Sequence, residues 1–357
     1  AVHGGGFYNP QKYLVAPKKL PENLHWFYWE SYSTWLTGFS LFCVSYLWNA
    51  NFYLVDKTVF DWSANTAGFA AIGFLVAFWF IYDTLCRVFL KQKNGNAWLG
   101  LSMLVLVALS AYLTAHLFSG RAAFLLTGAM LATSMSANVF FWIIPGQKTM
   151  VKDMQQGKSV DPIHGIRAKQ RSVHNTYFTL PVLFAMLSNH YSFLYNHPQR
   201  WILLIAIMTA GALIRQFFVL RHGFKLGKNN HPWPYAAVGV AVLIALIVAL
   251  KPSAPSSELS ATGQVNNNQA TAVTAANIET VRIEQVQKII EQRCYMCHGA
   301  QVQQKGIRLD QASLIEQNAS LIYQQVVVTK AMPMSNATQI TDAERELIGK
   351  WYLARKP

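Results

Sequence analysis

The chain has 357 residues, a net charge of +14 and a composition that is 52% hydrophobic, with only 13% charged residues. That is too little charge to cover a soluble protein of this size. Long uninterrupted apolar runs exclude an ordinary soluble globule and point to a polytopic membrane protein with one extra domain. The Lys and Arg excess sits mostly in residues 1–250, between the apolar runs. Such charge is an orientation signal, so nucleic acid is not an expected partner.

Residues 1–25 (AVHGGGFYNPQKYLVAPKKLPENLH) are rich in Gly, Pro and Lys and predict a loop or re-entrant segment. The chain starts at Ala1 rather than Met, so upstream sequence is expected, and no signal peptide is visible at this start. Seven apolar runs follow, at 27–49, 65–89, 97–118, 122–144, 173–194, 200–221 and 232–250. At ~1.5 Å per residue each is long enough to cross ~30 Å of hydrocarbon. Residues 251–278 are Ser/Ala/Asn/Thr-rich and predict a flexible tether; residues 279–357 predict a small second domain. The expected fold is all-α: a membrane body over 1–250, the linker, and a compact helical domain.

That second domain holds Cys294-Tyr295-Met296-Cys297-His298, a C-x-x-C-H run. Two thiols at this spacing add to the porphyrin vinyl groups of a covalent c-type haem, and the adjacent His offers its imidazole to the iron. A zinc site would need two further ligands in register, and no second C-x-x-C or H-x-x-x-H pair accompanies it. An amphipathic helix (Val281, Ile283, Val286, Ile289, Ile290) leads into the motif, and a second, Asp342–Leu353, ends the chain with Leu347, Ile348, Trp351 and Tyr352 for packing. Two such helices and a Met-bearing loop are the plan of a small cytochrome c. Met332 and Met334 are both candidates for the sixth ligand, where a soft thioether suits low-spin iron. Met332 is favoured, because its Met-Pro step just ahead of the last helix resembles the ligand loop of many small cytochromes c. Met296 is expected to point away from the iron and pack. Cys43 and Cys86 lie in apolar runs and read as small buried hydrophobes.

Covalent haem attachment takes place on the outer side of the bacterial inner membrane, which makes the cytochrome domain periplasmic. Counting back, 1–26, 86–96, 146–172 and 221–231 are cytoplasmic and hold most of the Lys and Arg, whereas the outer connections hold only Lys57, Arg121 and Arg200. The positive-inside rule gives the same orientation.

An ionisable side chain at membrane depth is costly and marks a functional candidate. Glu30, Asp83, Asn138, Arg171, His174, Asn175, Arg215 and Gln216 all fall toward the cytoplasmic halves of their helices, which predicts a polar pocket open to that side. The plainer alternative has Glu30 and Arg171 snorkelling from helix ends and Asp83 pairing with Arg215. His116 and His190, near the outer ends of the third and fifth runs, suggest a second, non-covalent haem. The competing reading makes them interfacial histidines bonded to neighbouring loops.

Four stretches, AVHGGGFYNPQKY, LPENLHWFYWESYSTWLTGF, GAMLATSMSANVFFWIIPGQ and KQRSVHNTYFTLPVLFAMLSNHY, together with the C-x-x-C-H domain, resemble the bacterial membrane-bound urate hydroxylases. Members of that family fuse a multispan urate oxidase domain to a C-terminal cytochrome c, and usually begin with one more apolar helix, which makes eight spans. The resemblance implies oxidation of urate to 5-hydroxyisourate in purine catabolism. Water supplies the oxygen, and electrons leave through the haem to a respiratory acceptor. Urate is a planar anion dense in N–H and C=O groups. Its chemistry suggests Arg171 or Arg215 for the charge and Asn138, Asn175 and Gln216 for the ring edges. It suggests Trp26, Phe27, Trp29 or Tyr177 for the face and His174 or Glu30 as base. The Gly4-Gly5-Gly6 loop beside His3 is a candidate cover. Two rival functions stand beside this one: a quinol-oxidising respiratory subunit, and a non-enzymatic membrane anchor for a cytochrome c carrier. Urate oxidation also releases two electrons where the haem accepts one, and the predicted pocket lies across the membrane from that haem.

Overall fold

The computed structural model describes residues 2–3, 6–7, 13, 17, 19–21, 24–250 and 281–355. The predicted tether at 251–278 and residues Gly4 and Gly5 of the candidate cover lie outside them. The chain divides into two compact units, Ala1–Val242 and Leu243–Pro357. Apart from one two-residue antiparallel pair, β1 (Val2–His3) with β2 (Gly6–Phe7), the described residues are helices and their connections.

In the first unit α1 (Trp29–Phe42) runs into a π-helical stretch, Cys43–Leu47, and a short turn α2 (Ala50–Tyr53). Then follow α3 (Ala64–Phe89), α4 (Gly95–Leu117) and α5 (Gly120–Asn138). A second π-helical stretch, Val139–Ile143, joins α5 to α6 (Ile144–Gln155). Next come α7 (Pro162–Leu187), a 3-10 turn at Ser188–His190, the short α8 (Ser192–Tyr195), α9 (Arg200–Lys225) and α10 (Trp233–Ala249). Three of the long helices start on a side-chain cap: Ser63 accepts from Thr66 N, Ser119 from Ala122 N, and Asp161 from Ile163 N just ahead of Pro162.

Among the described residues four helices are long and apolar enough to cross a membrane: Ala64–Phe89, Gly95–Leu117, the continuous Gly120–Gln155, and Arg200–Lys225. The other three predicted spans are altered. The first is interrupted by its π-helical stretch, and the last is 17 residues long. The fifth begins at Pro162 rather than near 173, so Arg167, Lys169 and Arg171 lie inside a helix where a loop was expected. The fourth continues past 144 to Gln155, again in place of a loop. Polar faces hid both extensions, because hydropathy measures apolar content and not helicity. Phe69, Phe80, Val105 and Phe140 on the four long helices are more than half exposed, an apolar surface suited to lipid.

Small residues set the helix spacing. A Cβ on Gly128 of α5 would stand 2.8 Å from the Ala185 Cβ of α7, and one on Gly239 of α10 would meet Ile214 and the Ala210 carbonyl of α9 at 2.8 and 2.9 Å. Without a hydrophobic drive between helices in lipid, close backbone approach of this kind carries the packing. Pro181 sits inside α7 and is buried. It has no N–H to give to the intrahelical ladder.

The second unit is built on α11 (Ile283–His298), α12 (Ala312–Gln317), α13 (Ala319–Ile322) with a π-helical continuation Tyr323–Val328, and α14 (Asp342–Ala354). Its core joins Val286, Ile289 and Ile290 of α11 to Ile315, Ile322, Ile348 and Trp351. The two amphipathic helices expected from the sequence are α11 and α14. A Thr341–Glu344 capping box opens α14.

Candidate functional site

The C-terminal ends of α3, α5 and α9 and the N-terminal ends of α4 and α7 lie at one level, as an antiparallel bundle requires. The polar side chains of that level form a buried chain of hydrogen bonds. Asp83, 2% exposed, receives Arg171 Nη2 at 2.7 Å and Trp142 Nε1 at 2.7 Å, and also pairs with Arg87 one turn along its own helix. Arg171 is itself 2% exposed, and its guanidinium lies 5.1 Å over the Tyr82 ring and 5.2 Å over Trp142. The π-helical stretch after Asn138 shifts the register between Asn138 and Trp142 and lets both side chains reach this cluster, a recurrent use of such bulges. Asp83 therefore pairs with Arg171, not with Arg215. Arg171 lies well inside α7 and does not snorkel.

Beyond Arg171 the chain continues inward. Arg171 Nη1 donates to Asn138 Oδ1 at 3.3 Å. Asn138 Nδ2 then donates to the Tyr82 hydroxyl at 2.8 Å and to Asn175 Oδ1 at 2.9 Å, and Asn175 Nδ2 donates to the Met135 carbonyl at 3.0 Å. Tyr82 OH meets His174 Nδ1 at 3.0 Å. Each amide orientation is set by its neighbour. Arg171 can only donate, so Asn138 must present its oxygen to it and its nitrogen to Tyr82. Having accepted from Asn138, the Tyr82 hydroxyl has its own proton to give to His174 Nδ1, which also lies 3.6 Å from the Cys86 sulfur. Neutral His174 then carries its proton on Nε2. In that arrangement the ring edge turned away from Tyr82 is a hydrogen-bond donor.

His174 lines a cavity of about 780 Å³ between α4, α7 and α9. Asn96, Lys169, Gln170 and Tyr177 share its polar end. Of the residues expected to meet urate, His174 and Tyr177 line this cavity. Arg171, Asn138 and Asn175 stand behind His174 in the network just described. Arg215 donates through Nε to the Thr176 carbonyl at 3.1 Å, and Gln216 accepts from Tyr177 OH, so both hold α9 to α7. Glu30 and Trp29, exposed in the first turn of α1, are not on the cavity lining. Trp26 lines a separate cavity of about 240 Å³ against α6, and Phe27 is 75% exposed. His116 is exposed with Nδ1 at 2.7 Å from the Tyr112 carbonyl of its own helix, and His190 is exposed on the 3-10 turn. Tyr82, Trp142, Lys169 and Gln170 were not foreseen. A tyrosine directly before a membrane-depth aspartate was the available signal for the first.

In the second unit Cys294 and Cys297 stand one turn apart at the end of α11, followed by His298. His298 Nδ1 lies 3.2 Å from the Ile307 carbonyl. That contact orients the ring and leaves Nε2 for a metal. Cys294 and Met332 pack against the same core. Burial pushes the Cys294 thiol up to about 12. Met332 is held from both sides of its backbone: its N–H donates to the Gln325 carbonyl at 3.0 Å, and Arg345 Nη1 donates to its carbonyl at 2.8 Å while also reaching the Val326 carbonyl. Arg293 ties the same loop down through the Thr338 carbonyl at 2.7 Å and Glu344 at 2.9 Å. Just past Met334, Ser335 Oγ and Asn336 Oδ1 are buried without a hydrogen-bond partner. Buried polar atoms of this kind ask for a partner.

Two thiols, an imidazole with one nitrogen committed, a thioether on the same core and unsatisfied polar atoms beside it make a donor set that fits a covalent haem. Among the described residues no three His, Cys, Asp or Glu side chains are grouped to hold a metal ion, so zinc has no further ligands here. Met296 is 52% exposed; it points outward as expected but does not pack.

Residues 1–251 match the model of a protein family described as urate oxidase, N-terminal. No curated relative and no solved structure matches this chain.

Proposed function

The chain belongs to the urate oxidase N-terminal family, and from that premise we propose that it is a membrane-bound urate hydroxylase. It would convert urate to 5-hydroxyisourate at the polar end of the α4–α7–α9 cavity and pass the electrons to a c-type haem on its second unit. On this reading the first unit lies in the bacterial inner membrane and the second faces the periplasm. Four helices long and apolar enough to cross a bilayer support the first half of that statement, and the C-x-x-C-H argument supports the second. The family match over 1–251 is the observation that carries the substrate.

Within the cavity, Lys169 supplies the cation for the urate anion, and Asn96 and Gln170 the edge contacts. Tyr177 offers a ring face. The His174 Nε2–H donates to a urate carbonyl and stabilises charge on that oxygen while water adds to the ring, the role of a preorganised oxyanion donor. Arg171, Asn138 and Tyr82 hold His174 in that state. Their contacts with one another and with Asp83 leave Arg171 no free donor fork for an anion.

Cys294 and Cys297 would carry the thioether bonds of the haem, with His298 and Met332 as ligands. The bound haem supplies a one-electron sink. In the haem-bearing protein, Met332→Leu is expected to abolish the weak red-edge sulfur–iron absorption and Met334→Leu to leave it. The opposite pattern would move the ligand to Met334.

The test of the reading is anaerobic. Urate added to the purified full chain is expected to reduce the haem, read by its absorption, with 5-hydroxyisourate appearing in step. A haem whose spectrum ignores urate would overturn the proposal and leave only a membrane-anchored carrier. In the same preparation a pyridine haemochrome assay reads a second, non-covalent haem on His116 and His190 if those histidines carry one.

A further inference from the structure

We propose that the cavity between α4, α7 and α9 also holds a membrane quinone, a planar ring with two carbonyl acceptors and an apolar isoprenoid tail. At about 780 Å³ it lies high in the range of roughly 300–1,000 Å³ that suits drug-sized ligands. Urate, a small bicyclic purine, fills only part of it. From Ile166 to Pro181 the α7 wall alone extends roughly 22 Å at the helical rise per residue.

The lining changes along that length. Past the polar end with Lys169, Gln170 and His174, the walls become Met103, Val107, Leu131, Pro181, Ile205 and Met208. A purine is polar on every edge and would leave unpaired groups against those side chains, at a cost of kilocalories each. A quinone ring with its tail would not. Met103, Met208 and Phe178 are the soft and aromatic surfaces that pack on a planar ring, and the Thr209 hydroxyl on the lining can donate to a carbonyl.

The cavity also opens where such a molecule travels. Leu104, Ile166 and Val173 line it and are exposed, so apolar side chains flank its opening, as entry from a bilayer requires. A phospholipid needs a place for two tails and a phosphate. Lys169, at the polar end, is the one Lys or Arg among the described lining residues.

The redox part of this inference rests on the urate reading. Urate and water give 5-hydroxyisourate, two electrons and two protons, with the new C–O bond at the ring carbon supplied by water. A quinone takes up both electrons and both protons as its two carbonyls become hydroxyls. One bound acceptor thus receives in a single oxidation the pair of electrons that a haem accepts only one at a time, and the quinol would release them singly toward the haem, losing its two protons as the quinone is restored.

The experiment needs no urate. The full chain is purified in mild detergent from quinone-containing membranes, washed, extracted with organic solvent and assayed for quinone and phospholipid. About one quinone per chain is expected, as for a largely preformed site. Gly100 lines the cavity, and a Cβ there meets nothing within 4 Å; the same open space surrounds Gly73, which is not on the lining. Gly100→Phe should lower retained quinone about tenfold or more by filling the slot, whereas Gly73→Phe should not. Thr209→Val, a near-isosteric change, should lower it several-fold and covers the case in which Gly100→Phe fails to fold. Wild-type protein without quinone, phospholipid in its place, or equal quinone in wild type, Gly100→Phe and Thr209→Val would each overturn the inference. None of those results bears on whether urate reduces the haem.

Discussion

Asp83→Asn is expected to cost the first unit about 3–5 kcal/mol, because it strands a buried charge. Arg171 is 2% exposed, and its only carboxylate partner among the described residues is Asp83 at 2.7 Å. Asparagine keeps the shape and one acceptor oxygen for Trp142, so packing hardly changes. What disappears is the counter-charge, in surroundings where water cannot replace it. Arg87, whose side chain is 62% exposed, escapes to solvent and contributes little to the loss. Removing the stranded charge as well should restore most of the stability: Asp83→Asn with Arg171→Met is expected to melt well above Asp83→Asn alone. Thermal unfolding of the detergent-solubilised protein reads both. Equal melting of Asp83→Asn and wild type, or a double variant no better than the single, would mean that the pair is hydrated and not a structural clamp.

The same pair explains which parts of this molecule could be read in its sequence. That ionisable residues at membrane depth share one layer followed from helix lengths alone, since antiparallel helices return each C-terminal end beside the next N-terminal one. Asp83, Asn138, Arg171, His174 and Asn175 do come together there. Which of them touch each other did not follow. The partner of Asp83 depends on the rotation of α7 about its axis, and on a π-helical stretch after Asn138 that no propensity announces. The expectation of free groups waiting for an anion failed for the same reason. In a low-dielectric interior buried polar groups satisfy one another first, and what remains for a ligand is the edge of the cluster that meets the cavity. His174 is that edge. In the second unit the two amphipathic helices were legible, because their apolar period is local and needs no knowledge of a partner. Arg345, which clamps the Met332 loop, stands far along the chain from the C-x-x-C-H motif and was not foreseen.

The hydrogen-bond chain makes His174 a donor, and this separates it from a general base by a single substitution. His174→Ala removes the group and is expected to lower the rate of urate-dependent haem reduction about 10²–10³-fold, the usual cost of one preorganised donor. His174→Gln keeps an N–H donor at similar reach but cannot take up a proton, and should retain activity within about tenfold of wild type. A base would lose as much with Gln as with Ala. Tyr82→Phe tests the positioning argument independently. It removes the hydroxyl 3.0 Å from Nδ1 and frees the imidazole to place its proton on either nitrogen, so part of the population presents a lone pair where a donor is needed. Its effect should therefore depend on residue 174 being histidine. In the His174→Gln background, where no tautomer exists to be set, adding Tyr82→Phe should cost little more, and the two changes should be clearly non-additive. Strictly additive losses would show that Tyr82 acts on packing alone. An inactive His174→Gln protein with an unaltered haem spectrum would return the proton-accepting role to this histidine.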